Sequence, residues 1–297
     1  MDHKTFLSSI TPRERARLTE TADGPGLRHL AGHAGAIAVL AVWVGLDLPF
    51  WPLAILPLGI ALAFLFTLQH ECTHRTPFRT PWLNEALGHL TGLILFQPFE
   101  WFRAFHMAHH RHTNDPEHDP ELEGSKKPET WRAFVWYLAG ADYWRAKLRT
   151  LLVNAGGGDD AEYISGRARP RIQREAVAML AVYVFLAAFT VLVSPILFWL
   201  WLLPLLVGFP VLRLYLLAEH GRCPAVADMF DNTRTTLTNR TVRFLAWNMP
   251  YHAEHHAWPT VPFHRLPALH EIATPHLKRV SDGYLRFSKE TWADLQD

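Results

Sequence analysis

Cysteine is scarce in this 297-residue chain, in which Cys72 and Cys223 are the only two. Two cysteines cannot form a disulfide framework, a four-cysteine zinc site or a cysteine-ligated iron–sulfur cluster. Charged residues are also few, at 19%, against about 25% in an ordinary soluble domain. Lys plus Arg number 29 and Asp plus Glu 28, a net charge of +1 that lacks the basic excess of a nucleic-acid binder. No Gly/Ser-rich or repetitive tract is present, which argues against a disordered chain or a solenoid.

Charge is missing above all from two long windows. Between Ala34 and Gln69 the only ionisable carboxylate is Asp47 and there is no Lys or Arg, and residues 176–212 carry no charge at all. Each window breaks once, at residues 47–52 or at 194–195, into halves of about 17 residues, roughly the shortest helix that crosses hydrocarbon. We therefore predict an all-α integral membrane protein with four transmembrane helices in two hairpins. The alternative, two buried hairpins of a soluble protein, is disfavoured by the length of the windows. The predicted spans are residues 30–47, 52–69, 176–193 and 196–213.

The basic residues indicate the orientation of these spans. All 29 lie in three segments, with five in residues 1–28, fourteen in 71–174 and ten in 213–297. In a protein of two hairpins these segments share one side of the membrane, which the positive-inside rule makes the cytoplasm. We expect a bacterial inner-membrane protein with cytoplasmic termini, and the polar residues 1–28 show no secretory signal.

The whole chain, residues 1–297, is expected to form a single membrane domain with a cytoplasmic helical cap. The stretch Leu87 to Phe102 is apolar but too short for a fifth span, and it contains Gly88, Gly92 and Pro98. It is predicted to be an interfacial or re-entrant helix, with a buried helix of the cap as the alternative.

Histidine is abundant, at 18 residues, and much of it stands in three clusters at the expected cytoplasmic face. The clusters are His70-Glu71-Cys72-Thr73-His74, His106-Met107-Ala108-His109-His110 and His252-Ala253-Glu254-His255-His256. A His-x-x-His-His triple is expected by chance on the order of 0.07 times in such a chain, so two of them indicate function. On a helix, positions i, i+3 and i+4 share a face. The clusters can therefore aim eight imidazoles at one region, which is too many for one metal ion and fits two, and imidazole suits Fe, Zn, Cu and Ni.

Other residues near the clusters leave alternatives open. His220 lies beyond the cytoplasmic end of the last predicted span, and a histidine at such a helix end is more often a cap than a ligand. The acidic stretch that holds His112, Asp115, His118 and Asp119 either orients ligand imidazoles through their second nitrogen or forms a solvated turn. Glu71, Glu219 and Glu254 stand beside ligand candidates and are possible partners of them.

Two other classes of protein are weighed against this interpretation. A soluble carboxylate-bridged di-iron bundle is disfavoured, because it needs Glu-x-x-His on two helices and two further glutamates. A non-enzymatic metal carrier or transporter is the rival class. Such proteins usually carry low-complexity histidine tracts or intramembrane carboxylates, whereas these clusters have defined spacing.

The order of the three clusters on a four-span scaffold resembles the membrane fatty acid desaturase and hydroxylase superfamily. Residues 251–259, Tyr-His-Ala-Glu-His-His-Ala-Trp-Pro, with Val-Pro-Phe at 261–263 and Leu-Pro at 266–267, are similar to the third histidine box of that family. The resemblance covers residues 65–270 and implies a di-iron centre, molecular oxygen and an external electron donor. It also implies an extra histidine ligand shortly before the third box, here His220. We expect Glu219 or Asn248 to be a neighbouring partner of that ligand. The expected metal ligands are His70, His74, His106, His109, His110, His220, His252, His255 and His256.

Departures from the family pattern narrow the subtype but not the substrate. The third box opens with His252, unlike the Gln of front-end desaturases, and no His-Pro-Gly-Gly haem motif is present. The spacing of His70 and His74 is shared with several bacterial desaturases and with carotenoid ketolases and hydroxylases. The resemblance therefore implies an oxidoreductase that uses two Fe²⁺ ions and O2 on a lipophilic substrate. Desaturation of a fatty acyl chain is the first expectation, and hydroxylation or ketone formation on a carotenoid or other hydrophobic metabolite is the alternative.

A separate ferredoxin- or rubredoxin-like protein is expected to supply the electrons, because two cysteines cannot build such a centre within the chain. Basic residues near the boxes are candidates for docking an acidic partner, with ordinary positive-inside arginines as the alternative. These residues are Arg75, Arg79, Arg103, Arg111, Arg240 and Arg243.

Overall fold

The computed structural model describes residues 1–124 and 127–296, and it is mostly helical. The first helices are α1 (His3–Ser9), α2 (Pro12–Leu18), α3 (Asp23–Gly45), α4 (Trp51–Ala63), α5 (Leu65–His74), α6 (Pro81–Ile94), α7 (Phe99–His112), α8 (Pro120–Gly124) and α9 (Trp131–Ala139). They are followed by α10 (Ala141–Ala155), α11 (Arg169–Leu192), α12 (Leu203–His220), α13 (Met229–Asn232), α14 (Arg240–Leu245), α15 (His252–Ala257), α16 (Leu266–Ala273) and α17 (Tyr284–Asp294). A π-helical turn at Phe198–Leu202 precedes α12, and a 3-10 turn at Thr274–His276 follows α16. Strands β1 (Thr235–Leu237) and β2 (Val280–Asp282) pair in parallel, with Thr235 opposite Val280.

Four helical stretches of the described residues are long and apolar enough to cross a membrane, which confirms the predicted all-α membrane class. They are Pro12–Gly45, Trp51–His74, Arg169–Leu192 and Phe198–His220, and their most apolar windows have a mean hydropathy of 1.4 to 2.2. The second and fourth stretches extend past the predicted ends at 69 and 213, and the third begins before 176. Hydropathy marks only the part of a helix that suits hydrocarbon, whereas these helices continue beyond it. The two extensions at the carboxyl ends carry candidate ligands, His70 and His74 on one helix and His220 on the other.

The second and fourth stretches form the inner pair of the bundle, and they run side by side in the same direction. Glycines allow this contact, since a Cβ atom on Gly59 would lie 1.8 Å from the Pro204 carbonyl oxygen. A Cβ atom on Gly208 would lie 2.1 Å from the carbonyl carbon of Gly59. Such small residues let the backbones of membrane helices approach closely. Further along the pair, the rings of Phe64 and Tyr215 meet edge to face with centroids 5.2 Å apart, so both helices reach the same end of the bundle.

The stretch Leu87–Phe102, predicted as one interfacial or re-entrant helix, is not a single helix but the end of α6 and the start of α7. Phe96 has a φ of +57°, and Pro98 has no N–H to continue a helix. Gln97 in the break is fully buried, and its carbonyl oxygen accepts a bond of 2.9 Å from the Gln69 side chain. The break separates α7, which carries the second cluster, from α6.

The start of α7 is held by a carboxylate from a distant part of the chain. Glu175, on α11, accepts hydrogen bonds of 2.8 Å from the backbone N–H groups of both Phe99 and Glu100. It also lies 2.6 Å from Nδ1 of His89 on α6. A negative group at a helix N-terminus satisfies free N–H donors and the helix dipole. Glu175 therefore joins α6, α7 and α11 near the second cluster.

Candidate metal centre

All nine histidines that the sequence predicts as ligands meet in one place. His70 and His74 lie on the last turns of α5, the second cluster ends α7, His220 ends α12, and α15 carries the third cluster. Four helix ends therefore converge, which explains why residues so distant in the chain lie together. Most of these rings are buried, and His74 and His110 are partly buried.

Five of the histidines form a first group: His70, His74, His106, His110 and His255. One ring nitrogen of each lies within 4.8 Å of one nitrogen of every other member. Nε2 of His106 is 2.9 Å from Nε2 of His74 and 3.0 Å from Nε2 of His110. Nε2 of His255 is 3.3 Å from Nε2 of His110. The group draws on α5, α7 and α15.

The remaining histidines form a second group beside the first. Ring nitrogens of His109, His220 and His256 lie within 4.8 Å of one another. Nε2 of His220 is 3.2 Å from Nε2 of His109 and 3.1 Å from Nε2 of His252. The rings of His110 and His256 stack with centroids 4.1 Å apart. The two groups thus adjoin, as two neighbouring ions would require.

The protonation of these rings suits a metal. Burial lowers the pKa of His106, His110 and His255 well below the ordinary range, so each ring is neutral near pH 7 and keeps one nitrogen lone pair. A neutral ring has only one N–H, so several inward Nε2 atoms about 3 Å apart cannot all be hydrogen-bonded to each other. Nε2 of His256 and both ring nitrogens of His70 are buried and have no hydrogen-bond partner in the described part of the chain. Bound cations would satisfy these converging lone pairs, and the all-imidazole donor set fits iron.

Asp119 fixes the orientation of one of these rings. Its carboxylate oxygens lie 2.9 and 3.1 Å from Nδ1 of His109, and it also accepts 2.7 Å from the backbone N–H of Asn114. Glu121 lies 3.2 Å from the same Nδ1. Burial opposes charge on His109, but Glu121 and Asp119 outweigh it and raise the pKa of the ring. A carboxylate on Nδ1–H leaves Nε2 free to face a metal.

Two glutamates face Nδ1 atoms of other box histidines, as Asp119 faces that of His109, but at longer distances. Glu71, fully buried, has Oε1 3.8 Å from Nδ1 of both His70 and His255. Glu219 has Oε1 3.5 Å from Nδ1 of His252. A third partner, not anticipated from the sequence, is Thr113, whose Oγ1 lies 3.1 Å from Nδ1 of His256. Thr113 directly follows α7, and no motif in the sequence distinguishes it.

Some expected neighbours lie elsewhere. The Asn248 side chain donates to the Phe263 carbonyl oxygen at 3.0 Å rather than facing His220. Glu254 pairs with His270 and accepts from Thr235, so it ties α15 to α16 and β1 and does not orient a box histidine.

The acidic stretch after α7 was predicted either to orient a ligand imidazole or to form a solvated turn, and its residues do both. Asp119 orients His109, whereas Asp115 pairs at 3.0 Å with His118 in an exposed turn. Ligand atoms of His112, Asp115 and His118 lie within 4.8 Å of one another and form a group separate from the nine candidate ligands.

The six arginines near the boxes fall into two sets. Arg75 and Arg103 both bond to Glu85, at 3.0 and 2.8 Å, and Arg243 donates to the Tyr251 hydroxyl at 2.9 Å. The other three are exposed and have no ion pair among the residues that the structure describes: Arg79, Arg111 and Arg240.

Comparison with known proteins finds a family model and several relatives that are all named as desaturases. The family described as "Fatty acid desaturase" matches residues 27–288. The sn-1 oleoyl-lipid 12-desaturase of Picosynechococcus sp. is 27% identical over 293 residues, which cover 90% of this chain and 79% of the relative. The enzyme of that name from Arthrospira platensis is 24% identical over 82% of this chain and 73% of its own length. The dihydrorhizobitoxine desaturase of Bradyrhizobium elkanii is 29% identical over 82% of this chain and 72% of its own.

Proposed function

The chain belongs to the fatty acid desaturase family, and from this premise we propose that its nine clustered histidines bind two iron ions that desaturate a fatty acyl chain. That it is a membrane oxidoreductase acting on a lipid follows from the family and its relatives. The observation that carries the proposal is the meeting of nine imidazoles from four helices in two adjoining groups. The first group would hold one iron, and His109, His220, His252 and His256 would hold the other.

The reaction converts a –CH2–CH2– unit, O2, two electrons and two protons into –CH=CH– and two molecules of water. When bound, the irons supply the reduction of O2 and the removal of the two hydrogens. The protein orients the ligands, through Asp119 on His109 and the glutamates near the other rings. Phe66 lies beside His70 and Phe102 beside His106, with ring centroids 6.4 and 5.4 Å apart. These two apolar rings would exclude water and favour a hydrocarbon chain next to the metal centre.

We place the four spanning helices in two hairpins, in a bacterial inner membrane, with both termini, the cap and the metal centre in the cytoplasm. The distribution of basic residues supports this orientation. The tight contact between the second and fourth helices supports a single domain over residues 1–297.

A separate ferredoxin- or rubredoxin-type protein would deliver the electrons at the cytoplasmic face. Cys72 is buried and Cys223 is partly buried, and neither belongs to a group of potential metal ligands in the described residues. The exposed arginines Arg79, Arg111 and Arg240 are the groups that we propose for docking, while Arg103 and Arg243 are already bonded within the protein.

Mass spectrometry of lipids from cells with and without the gene tests this function. A fatty acyl product lighter by two hydrogen atoms is expected, and the variant His106→Ala serves as the inactive control. A product heavier by one oxygen atom would establish the alternative, hydroxylation. Iron-loaded protein that forms no oxygen-dependent product with any lipid would contradict the proposal and favour a non-enzymatic metal-binding protein.

A further inference from the structure

A second polar cluster lies beside the metal centre, where α7, α9, α10 and α12 meet. Lys147 of α10 donates through Nζ to Oε1 of Gln97, in the break before α7. The hydroxyl of Tyr143 donates to the same oxygen at 3.2 Å. Arg213 of α12 lies over the ring of Tyr137, with Cζ 3.6 Å from its centroid, and its Nε donates to the Tyr137 carbonyl oxygen at 3.3 Å. The ring of Tyr143 joins the two halves, 4.7 Å from Nζ of Lys147 and 5.5 Å from Cζ of Arg213.

This cluster brings together two basic side chains, and neither has a carboxylate partner among the described residues. Among the described residues, no carboxylate lies within 4.0 Å of Lys147 or Arg213, although eleven such contacts with other Lys or Arg side chains occur elsewhere. Arg213 is only 9% exposed. Burial, reinforced by Arg213, lowers the pKa of Lys147 to about 7. Uncompensated positive charge of this kind is costly unless something negative neutralises it.

Lys147, Arg213 and Gln97 carry more N–H donors than the hydrogen bonds of the described residues use. Oε1 of Gln97 already accepts two bonds, whereas its Nε2 is buried and has no partner in the described part of the chain. The Lys147 ammonium group has three N–H donors and the Arg213 guanidinium five, and few of them are used. Unpaired donors around positive charge match an anionic group rich in oxygen.

The surroundings of the cluster suit a hydrocarbon chain. Nζ of Lys147 lies 5.5 Å from the ring centroid of Trp101 and 5.9 Å from that of Phe102. Phe102 stacks in turn on His106 of the metal centre, with ring centroids 5.4 Å apart. One aromatic ring therefore separates the cationic cluster from a candidate iron ligand, and a molecule that is anionic at one end and apolar beyond it fits both.

We propose that Lys147, Arg213 and Gln97 form a binding site for the anionic oxygens, carboxylate or phosphate, at one end of the lipid substrate. The identification of this ligand as a lipid rests on the proposed function. The site anchors the polar end while the hydrocarbon lies against Phe102 and the metal centre.

Binding of matched lipids to the iron-loaded protein under argon, where no turnover occurs, tests the site directly. The probes are oleate, oleyl phosphate and oleyl alcohol, which share one chain and differ in the head group. Wild-type protein is expected to bind at least one of the anions about tenfold more tightly than the alcohol, as charge-assisted hydrogen bonds require. The preferred anion identifies the head group. Equal affinity for all three probes would overturn the proposal.

Variants test whether the preference for an anionic head group depends on Lys147 and Gln97. Lys147→Met is expected to weaken binding of the preferred anion about tenfold and to leave the alcohol unchanged, whereas Lys147→Arg keeps the charge and the affinity. Gln97→Glu supplies an internal carboxylate to Lys147, so it should fold and also weaken anion binding. Arg149→Met is the matched control, because it removes an exposed positive charge from the same helix.

Wild-type affinity for the anion in both Lys147→Met and Gln97→Glu would overturn the assignment. If Lys147→Met does not fold, Gln97→Glu and the comparison of the three probes on wild-type protein still test the assignment. Because binding is measured without turnover, this result is independent of the mass spectrometry of cellular lipids that tests the proposed function. A preference for the anion with no desaturated product would contradict the proposed function alone.

Discussion

His220 is the last residue of α12, and its Nε2 lies 3.2 Å from Nε2 of His109 and 3.1 Å from Nε2 of His252. We expect His220→Ala to fold and insert, because a helix end tolerates alanine, but to bind fewer than two irons per chain and to lose activity. Iron analysis of the purified protein measures this. His118→Ala is the control, since that histidine pairs with Asp115 in an exposed turn. Full iron content and wild-type turnover in His220→Ala would show that the residue is only a helix cap.

Asp119 is the carboxylate that holds a candidate ligand most closely, through His109. Asp119→Asn keeps the shape but removes the negative charge, and loss of such a partner typically weakens metal binding about 10- to 100-fold. Iron retention against a chelator measures the loss. Asp115→Asn makes the same chemical change in the same segment without contact to a box histidine, and should retain iron as the wild type does. The role of Asp119 would be refuted by equal retention in the two variants.

Single residues show where inference from the sequence succeeds and where it stops. The meeting of the box histidines was predictable because their spacing is a property of the helix itself, which places i, i+3 and i+4 on one face. The neighbours of these rings come from distant segments, so local spacing carries no information about them. Asn248 and Glu254, although near the candidate ligands in sequence, bond to Phe263 and to His270. Thr113 belongs to no motif.

At the scale of helices, the existence of the four spans was predictable and their ends were not. Apolar composition reports where a helix can contact lipid, and it ends near residue 69 in the second span and near 213 in the fourth. The helices continue to His74 and His220 because their last turns pack against other parts of the protein. The break between α6 and α7 was not predicted either. It depends on the burial of Gln97 within the protein, and the presence of Pro98 in the sequence does not reveal that burial.

The contact between α4 and α12 gives a prediction at this scale. A methyl group at Gly208 would meet the backbone of Gly59 at 2.1 Å, where no flexible side chain can yield. Gly208→Ala should therefore separate the helices and destabilise the protein by about 1–3 kcal/mol, measured as a lower thermal midpoint and faster loss of iron. Gly35→Ala is the control, because nothing lies within 4 Å of the added methyl group there. Equal midpoints for the two variants would contradict a tight helix contact.

At the scale of the whole molecule, the basic residues predict the topology. A green fluorescent protein fused to the C-terminus should fluoresce, as it does in the cytoplasm, and alkaline phosphatase there should be inactive. Phosphatase inserted in the turn between α3 and α4, near Asp47, should be active. The opposite pattern would place the histidine groups outside the cytoplasm and would refute the proposed orientation.

Arg79 and Arg240 are exposed and unpaired in the described structure, unlike Arg103, so their field is available to an acidic electron donor. Because salt screens exposed charges over about 10 Å at 0.1 M, kcat/KM for a ferredoxin-type donor should fall as ionic strength rises. Arg79→Gln and Arg240→Gln should lower kcat/KM at low salt and flatten this dependence, with kcat at saturating donor little changed. Arg149→Gln removes the same charge from α10 and should leave the profile as in the wild type. If all three variants match the wild type, these arginines serve only the orientation of the protein in the membrane and the donor docks elsewhere.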